Sequence, residues 1–266
     1  MMRLKDKVAI VTGGGKGIGK SISLAFASEG AAVVLTARSL SQLEQTAKEI
    51  HSQSGKVLVI QTDIAHEEQV QQMVDKTLDD YGQIDILVNN GGIIGPVASV
   101  VDMNLNAWNE TLAINLTGAM LCSREVLRHM IQRKSGTIIN ISSEGGRGGD
   151  GRTGRPLRSA YDCSKMGLIG LTEAMAVEVG KYGIRVNAIS PGAVSGERVN
   201  IHLKRSAQTM GISLDEQKAK MVTNYSLGRI TEESEVASVA VFLASNEASA
   251  MTGQVIVVNC GHHILF

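Results

Sequence analysis

Lys7-Val8-Ala9-Ile10-Val11-Thr12-Gly13-Gly14-Gly15-Lys16-Gly17-Ile18-Gly19 runs from an apolar stretch into a glycine turn, and Ile22, Leu24, Ala25 and Phe26 continue it in a helical pattern. A short apolar run that stops at glycines reads as a buried strand. Strand, glycine turn and helix together bring backbone N–H groups and a helix N-terminus against a pyrophosphate. Glycines at 13, 15, 17 and 19, with Lys16 and Ile18 between them, are the candidate contacts. The Gly-x-x-x-Gly-x-Gly spacing departs from the Gly-x-Gly-x-x-Gly fingerprint, and a glycine cluster alone also suits a tight turn. Its place after the first strand favours the nucleotide.

Working outward, Ala32 to Ala37 reads as a second buried strand, and its end is where such a site meets the adenosine ribose. A carboxylate there would bind the ribose 2′-hydroxyl. The chain offers Arg38 and Ser39 instead, with Lys16 within reach, so two cations and no acid point to NADP over NAD, with NAD still possible. The strand Val57 to Gln61 leads to Thr62-Asp63-Ile64, where Asp63 either accepts from an adenine amino group or caps the helix beginning near Glu67. The strand Ile84 to Val88 runs into Asn89-Asn90-Gly91-Gly92, which suits both a turn and close backbone approach to a flat ring. Residues 105–132 read as one long helix in which Asn115 is a poor former; a local distortion there would let it hold a water chain to Lys165. The strand Gly136 to Ile141 delivers Ser142 and Ser143, and Ile184 to Ile189 ends in Ser190-Pro191-Gly192, both at the carboxyl edge where open α/β sheets place ligands.

Tyr161-Asp162-Cys163-Ser164-Lys165 carries the chemistry, because side chains four apart on a helix lie one turn apart on one face. An ordinary tyrosine hydroxyl is a poor acid or base near neutral pH, and a lysine ammonium one turn away favours the phenolate. Cys163 points elsewhere on that helix and reads as a packing residue. Residues 144–159 hold six glycines with Arg147, Arg152, Arg155 and Arg158. They read as a basic loop, either solvated, at a subunit contact, or gating a substrate that bears a carboxylate, phosphate or thioester carrier. Residues 193–225 suit a substrate lid, helical over 197–225, which is polar and Met-rich without strong caps. Helix 232–245 and a strand Gln254 to Val258 finish the sheet.

Composition agrees with a buried parallel sheet: 43% of the 266 residues are hydrophobic, only 3% aromatic, and glycines number 29. That length suits one large α/β domain spanning 1–266. With 26 basic and 26 acidic residues, no global field favours nucleic acid or an anionic membrane, and a small-molecule partner fits better. Cys122, Cys163 and Cys260 have no disulfide or zinc spacing, and His262 and His263 lack a carboxylate cluster, so no metal is expected. The absence of a signal-like h-region or long apolar run leads us to expect a cytoplasmic protein.

Thr12-Gly13-x-x-x-Gly17-Ile18-Gly19, Asn89-Asn90-Gly91-Gly92, Asn115, Ser142-Ser143, Tyr161-x-x-x-Lys165 and Pro191-Gly192 together resemble the short-chain dehydrogenase/reductase family, in its order and over nearly the whole chain. The resemblance implies a Rossmann-like, doubly wound, seven-stranded parallel sheet of order 3-2-1-4-5-6-7. It also implies a catalytic tetrad of Asn115, Ser143, Tyr161 and Lys165, with Tyr161 as acid or base toward a carbonyl or alcohol. Tyr161 and Lys165 would also touch the cofactor, together with Asn89, Gly91, Asp63, Ile64, Pro191, Gly192 and Val194. A homotetramer or homodimer is the family tendency. The sequence departs from the family at Gly91, which stands for Ala, and at Gly196, where a Thr is frequent, leaving the carboxamide contact to Ser195 or backbone. The interval of 18 residues from Ser143 to Tyr161 is longer than usual, and Val258-Asn259-Cys260-Gly261 replaces the common ending. These features imply an NADP-dependent carbonyl reductase or alcohol dehydrogenase. The alternatives are a 3-oxoacyl-carrier reductase and a non-catalytic nucleotide sensor, the last disfavoured by the intact Ser, Tyr and Lys.

Overall fold

The computed structural model describes residues 2–144 and 156–262. Seven strands form one parallel sheet: β1 (Val8–Thr12), β2 (Ala32–Ala37), β3 (Val57–Gln61), β4 (Ile86–Asn89), β5 (Gly136–Ile141), β6 (Ile184–Pro191) and β7 (Val255–Val258). Their order is β3-β2-β1-β4-β5-β6-β7, as the family resemblance implies. Chain direction reverses its lateral progress between β1 and β4, so a crevice opens at their carboxyl ends. Register there is direct, with Ala9 opposite Ile86 and Val11 opposite Val88.

The helices are α1 (Gly17–Ser28), α2 (Leu40–Ser52), α3 (Glu67–Tyr81), α4 (Leu105–Leu112), α5 (Gly118–Arg133), α6 (Ser159–Val179), α7 (Glu197–Met210), α8 (Leu214–Val222) and α9 (Glu233–Ala244). They cover both faces of the sheet. One core packs Ile22, Phe26, Leu43 and Ile50 with Val236 and Val241 against Val11, Val33 and Ile139. The other packs Val70, Met73, Cys122 and Val126 with Met175 and Val179 against Ile10, Val34 and Leu87. Buried strands of Val, Ile and Leu, screened on both sides, are what a parallel sheet requires.

Two elements differ from the sequence expectation in instructive ways. The helix expected over 105–132 is three pieces, because a π-helical turn, Ala113–Thr117, separates α4 from α5 and carries Asn115 inward. Such turns widen a helix locally and re-aim its side chains. The segment 197–225 is better capped than its composition suggests. Ser213 accepts from the Glu216 N–H at 3.2 Å while Glu216 accepts from the Ser213 N–H at 2.8 Å, a capping box that starts α8. Most of the Arg- and Gly-rich stretch, including Arg147, Arg152 and Arg155, lies outside the described residues.

Candidate active site

The glycine turn is built around Thr12, the last residue of β1. Its buried hydroxyl accepts from the backbone N–H groups of Asn90 (2.9 Å) and Gly91 (2.8 Å) and donates to the Val88 carbonyl (3.3 Å). The Asn90 side-chain amide donates back to the Thr12 carbonyl at 2.9 Å and the Gly13 carbonyl at 3.3 Å. The first turn and the Asn-Asn-Gly-Gly turn are thereby fastened to each other. Gly13 has φ +66°, and a Cβ on Gly19 would collide with the Gly13 carbonyl oxygen and the Asn90 amide. Both positions need glycine. Lys16 is the N-cap of α1 and is exposed; no side chain caps this end and no acid lies in its first turn. The first N–H groups of the helix thus remain for an anion, and the cradle of glycines fits a dinucleotide diphosphate.

At the carboxyl edge of β5, α6 lays Lys165 along the sheet. Its buried ammonium donates to the Ile141 carbonyl at 2.7 Å and lies 5.9 Å from the centre of the Tyr161 ring. The Ser142 hydroxyl donates to the Lys165 carbonyl at 2.9 Å, which ties the strand end to the helix; Ser143 beside it is buried. Asn115 is held from both sides: Oδ1 accepts from the Ile93 N–H (2.8 Å), and Nδ2 donates to the Ile93 carbonyl (2.9 Å) and the Ser164 hydroxyl (3.0 Å). Ser164 in turn donates to the Tyr161 carbonyl at 2.7 Å. A Cβ on Gly92 would stand 3.0 Å from Asn115 Oδ1 and 3.8 Å from Lys165 Nζ, so these two groups flank the same bare backbone. Asn115, Ser164 and Lys165 therefore gather around Gly92, with the Tyr161 ring near Lys165 and Ser142 holding the end of β5 to α6.

A family profile described as short chain dehydrogenase matches residues 7–206. The chain belongs to this family. Among its relatives, an uncharacterized oxidoreductase of Thermotoga maritima is 35% identical over 260 residues, covering 98% of both chains. A 3-oxoacyl-acyl-carrier-protein reductase of the same organism is also 35% identical over 260 residues, covering 98% of this chain and 99% of its own. The crystal structure of levodione reductase superposes with a TM-score of 0.91 at 31% identity, over 99% of this chain and 100% of that one. As a short chain dehydrogenase, the chain is an NAD(P)-dependent oxidoreductase.

Other short chain dehydrogenase positions fall as follows. Arg38 is exposed at the end of β2, and neither it nor Lys16 has an ion-pair partner among the described residues. The Arg38 carbonyl accepts from Gln61, and the Ser39 hydroxyl lies 3.3 Å from that of Ser41. Asp63 spends Oδ1 on the Ala65 N–H (3.1 Å) and places Oδ2 3.7 Å from His66 Nδ1, a local turn before α3. Ile64 is buried, and its side chain separates Gly91 from Gly118. The buried Asn89 amide donates to Ser123 and Asn140 at 2.9 Å each, so its side-chain donor is committed within the protein. Beyond Pro191 and Gly192, Val194 bridges to Thr231, while the Ser195 hydroxyl is committed to the Glu232 carboxylate. Backbone around Val194 is what remains for a carboxamide.

Cys163 corrects the sequence reading: it faces solvent, not the core. The buried face of α6 runs through Ser164, Lys165, Leu168, Ile169 and Thr172, and residue 163 falls on the opposite side. Cys122 is the packed thiol, and burial pushes it up to about 12. Three contacts escaped the sequence. Arg158 sits 5.1 Å over the Tyr161 ring, a second cation near the phenol. Ser164, inside the Tyr-x-x-x-Lys motif, links Asn115 to α6. Glu144 receives His262 Nδ1 at 3.0 Å, and His262 stacks on Tyr225 with centroids 4.3 Å apart, joining the chain's last described residue to the base of the 193–225 segment. Three positions between Tyr161 and Ser164 is a helical spacing that a sequence alone can suggest; the Glu144 to His262 pairing has no local signal.

Proposed function

We propose that the chain interconverts a ketone or aldehyde and its alcohol, using Tyr161 as general acid and base and preferring NADP(H). The observation that supports this reading best is the seating of Lys165 on the Ile141 carbonyl at the carboxyl end of β5, with Tyr161 one turn away on the same helix and its ring centre 5.9 Å from the ammonium. A bound nicotinamide supplies or accepts the hydride. The Gly13 to Gly19 turn and the N-terminus of α1 hold the diphosphate, and backbone at Asn89, Gly91, Ile64, Pro191, Gly192 and Val194 lines the rest, with Asp63 toward adenine. Ser143 donates a hydrogen bond to the reacting oxygen. Tyr161 gives that oxygen a proton during reduction and takes one from the alcohol during oxidation. Lys165 stabilises the phenolate that remains and reaches the ribose hydroxyls, while Asn115, across Gly92 from it, anchors the proton's path to solvent.

The NADP preference is supported by exposed Arg38 and Lys16, neither with an ion-pair partner among the described residues, and by Ala37-Arg38-Ser39 offering no acid at the end of β2. A 3-oxoacyl thioester substrate is the second reading, favoured by the acyl-carrier-protein reductase relative. Association into a homotetramer or homodimer is part of the proposal, supported by exposed Leu105, Met166 and Val177 on α4 and α6. Among the described residues no helix is long and apolar enough to cross a membrane, which agrees with the cytoplasmic setting we infer. The test is a turnover assay with NADPH and NADH across simple ketones, aldehydes and acetoacetyl thioesters. Turnover with NADPH supports the reading; NADPH binding without turnover of any carbonyl would favour a sensor instead.

A further inference from the structure

The helix α9 opens on three carboxylates with different employment. Glu232 is its N-cap and engages the Ser195 hydroxyl. Glu235 accepts from the Glu232 N–H at 2.8 Å and holds Arg229 through both oxygens, at 2.7 and 2.8 Å. Glu233 has no hydrogen-bond or ion-pair partner among the described residues, although it is half-buried. Its Oε1 would lie 2.9 Å from a Cβ on Gly196 and 3.7 Å from one on Gly17. One carboxylate oxygen therefore sits between the first residue of α1 and the segment that follows β6.

That position has a physical logic. The N-terminus of α1 attracts negative charge and has no acid in its own first turn, and the Glu233 oxygen lies beside its first residue. Among the described residues, Lys20 and Glu232 are the charged groups that act on Glu233. Lys20 on α1 is tied to Glu49 of α2 at 2.9 Å, and Glu232 is its neighbour on α9. Burial, then the charge of Glu232, push the Glu233 carboxyl above its ordinary range, against the pull of Lys20. Glycine at 17 and 196 leaves the space that the carboxylate fills. The same end of α1 is where a diphosphate is wanted.

We propose that Glu233 is a built-in competitor for the dinucleotide, its carboxylate holding the anion-attracting end of α1 and braking cofactor binding as long as it is charged. The proposal rests on the dinucleotide reading above and adds a control to it. Binding is then strongest when Glu233 is neutral, and weakens as pH rises and the carboxyl loses its proton.

Titration calorimetry of NADP+ against wild type and E233Q from pH 5 to pH 8 tests this. Reading the ratio of the two Kd values cancels the titration of the cofactor's own 2′-phosphate. At pH 8 E233Q binds roughly tenfold tighter, an order of magnitude set by one charge removed from near the diphosphate, and the ratio shrinks as pH falls and the carboxyl gains its proton. E233A, which removes the side chain altogether, gives the same gain and guards against a glutamine that packs badly. Equal Kd values at every pH, or a ratio that is constant with pH, overturn the inference while leaving the dinucleotide reading intact. Failure of wild type and both variants to bind any dinucleotide overturns both. Binding by the variants alone supports the brake.

Discussion

Replacing Thr12 by Val tests how the nucleotide-binding turns are held. Valine keeps the shape of this buried residue and removes only the hydroxyl. Two backbone N–H groups, of Asn90 and Gly91, then lose the acceptor they now have at 2.9 and 2.8 Å. The Gly91 N–H, left without a partner, costs about 1–3 kcal/mol, the Asn90 N–H falls back on the Val88 carbonyl at 3.1 Å and loses about 0.5–1.5 kcal/mol, and the new methyl returns roughly 1 kcal/mol, so the net loss is about 0.5–3.5 kcal/mol. For a domain of this size that is a fall in Tm of about 1–14 °C. Thr12→Ser keeps the hydroxyl and loses one methyl, costing about 1 kcal/mol. Differential scanning calorimetry of the three proteins gives the comparison directly, and dinucleotide titration of the same samples reads whether the loosened turns also weaken binding. If Thr12→Val melted within about 1 °C of wild type, or if Thr12→Ser were the worse of the two, the hydroxyl would not be the fastening described here.

Arg38→Asp weakens NADPH about 10- to 100-fold, since one charged phosphate contact is worth about 1.5–3 kcal/mol, and spares NADH; equal losses for both cofactors would place Arg38 away from the 2′-phosphate. Gly19→Ala forces a methyl against the Gly13 carbonyl and the Asn90 amide, both anchored, so it lowers the melting temperature and abolishes dinucleotide binding in the same titration. Maleimide labelling of the native chain followed by peptide mapping finds Cys163 modified and Cys122 protected until the chain unfolds, because only the former is exposed and the latter stays a thiol to about pH 12.

Much of the fold is legible in the sequence because its signals are local. Apolar runs that stop at glycine mark β1 and β2, and Gly82, in a left-handed conformation, ends α3 where the pattern breaks. The distortion expected at Asn115 is a π turn because a polar side chain buried mid-helix has to reach the Ile93 backbone. What stays hidden is set by tertiary contact. Nothing near Asn89 tells that its amide spans to Ser123 and Asn140, nor that Glu144 meets His262 118 residues later. Cys163 reads wrongly for a different reason: an apolar residue type inside a catalytic motif suggests packing, yet helical phase alone turns it to solvent. The capping box at Ser213 and Glu216 was available in the sequence as Ser-x-x-Glu, overshadowed by the polar composition around it.

The account turns on Tyr161 as the group that exchanges a proton with the substrate oxygen. Tyr161→Phe removes that hydroxyl and keeps the ring under Arg158 and near Lys165. Single-turnover reduction of an accepted ketone, measured beside NADPH titration of the same variant, separates chemistry from binding. The account predicts a rate lowered by at least about 100-fold with NADPH affinity within about threefold of wild type. A variant that turned over at the wild-type rate would contradict it.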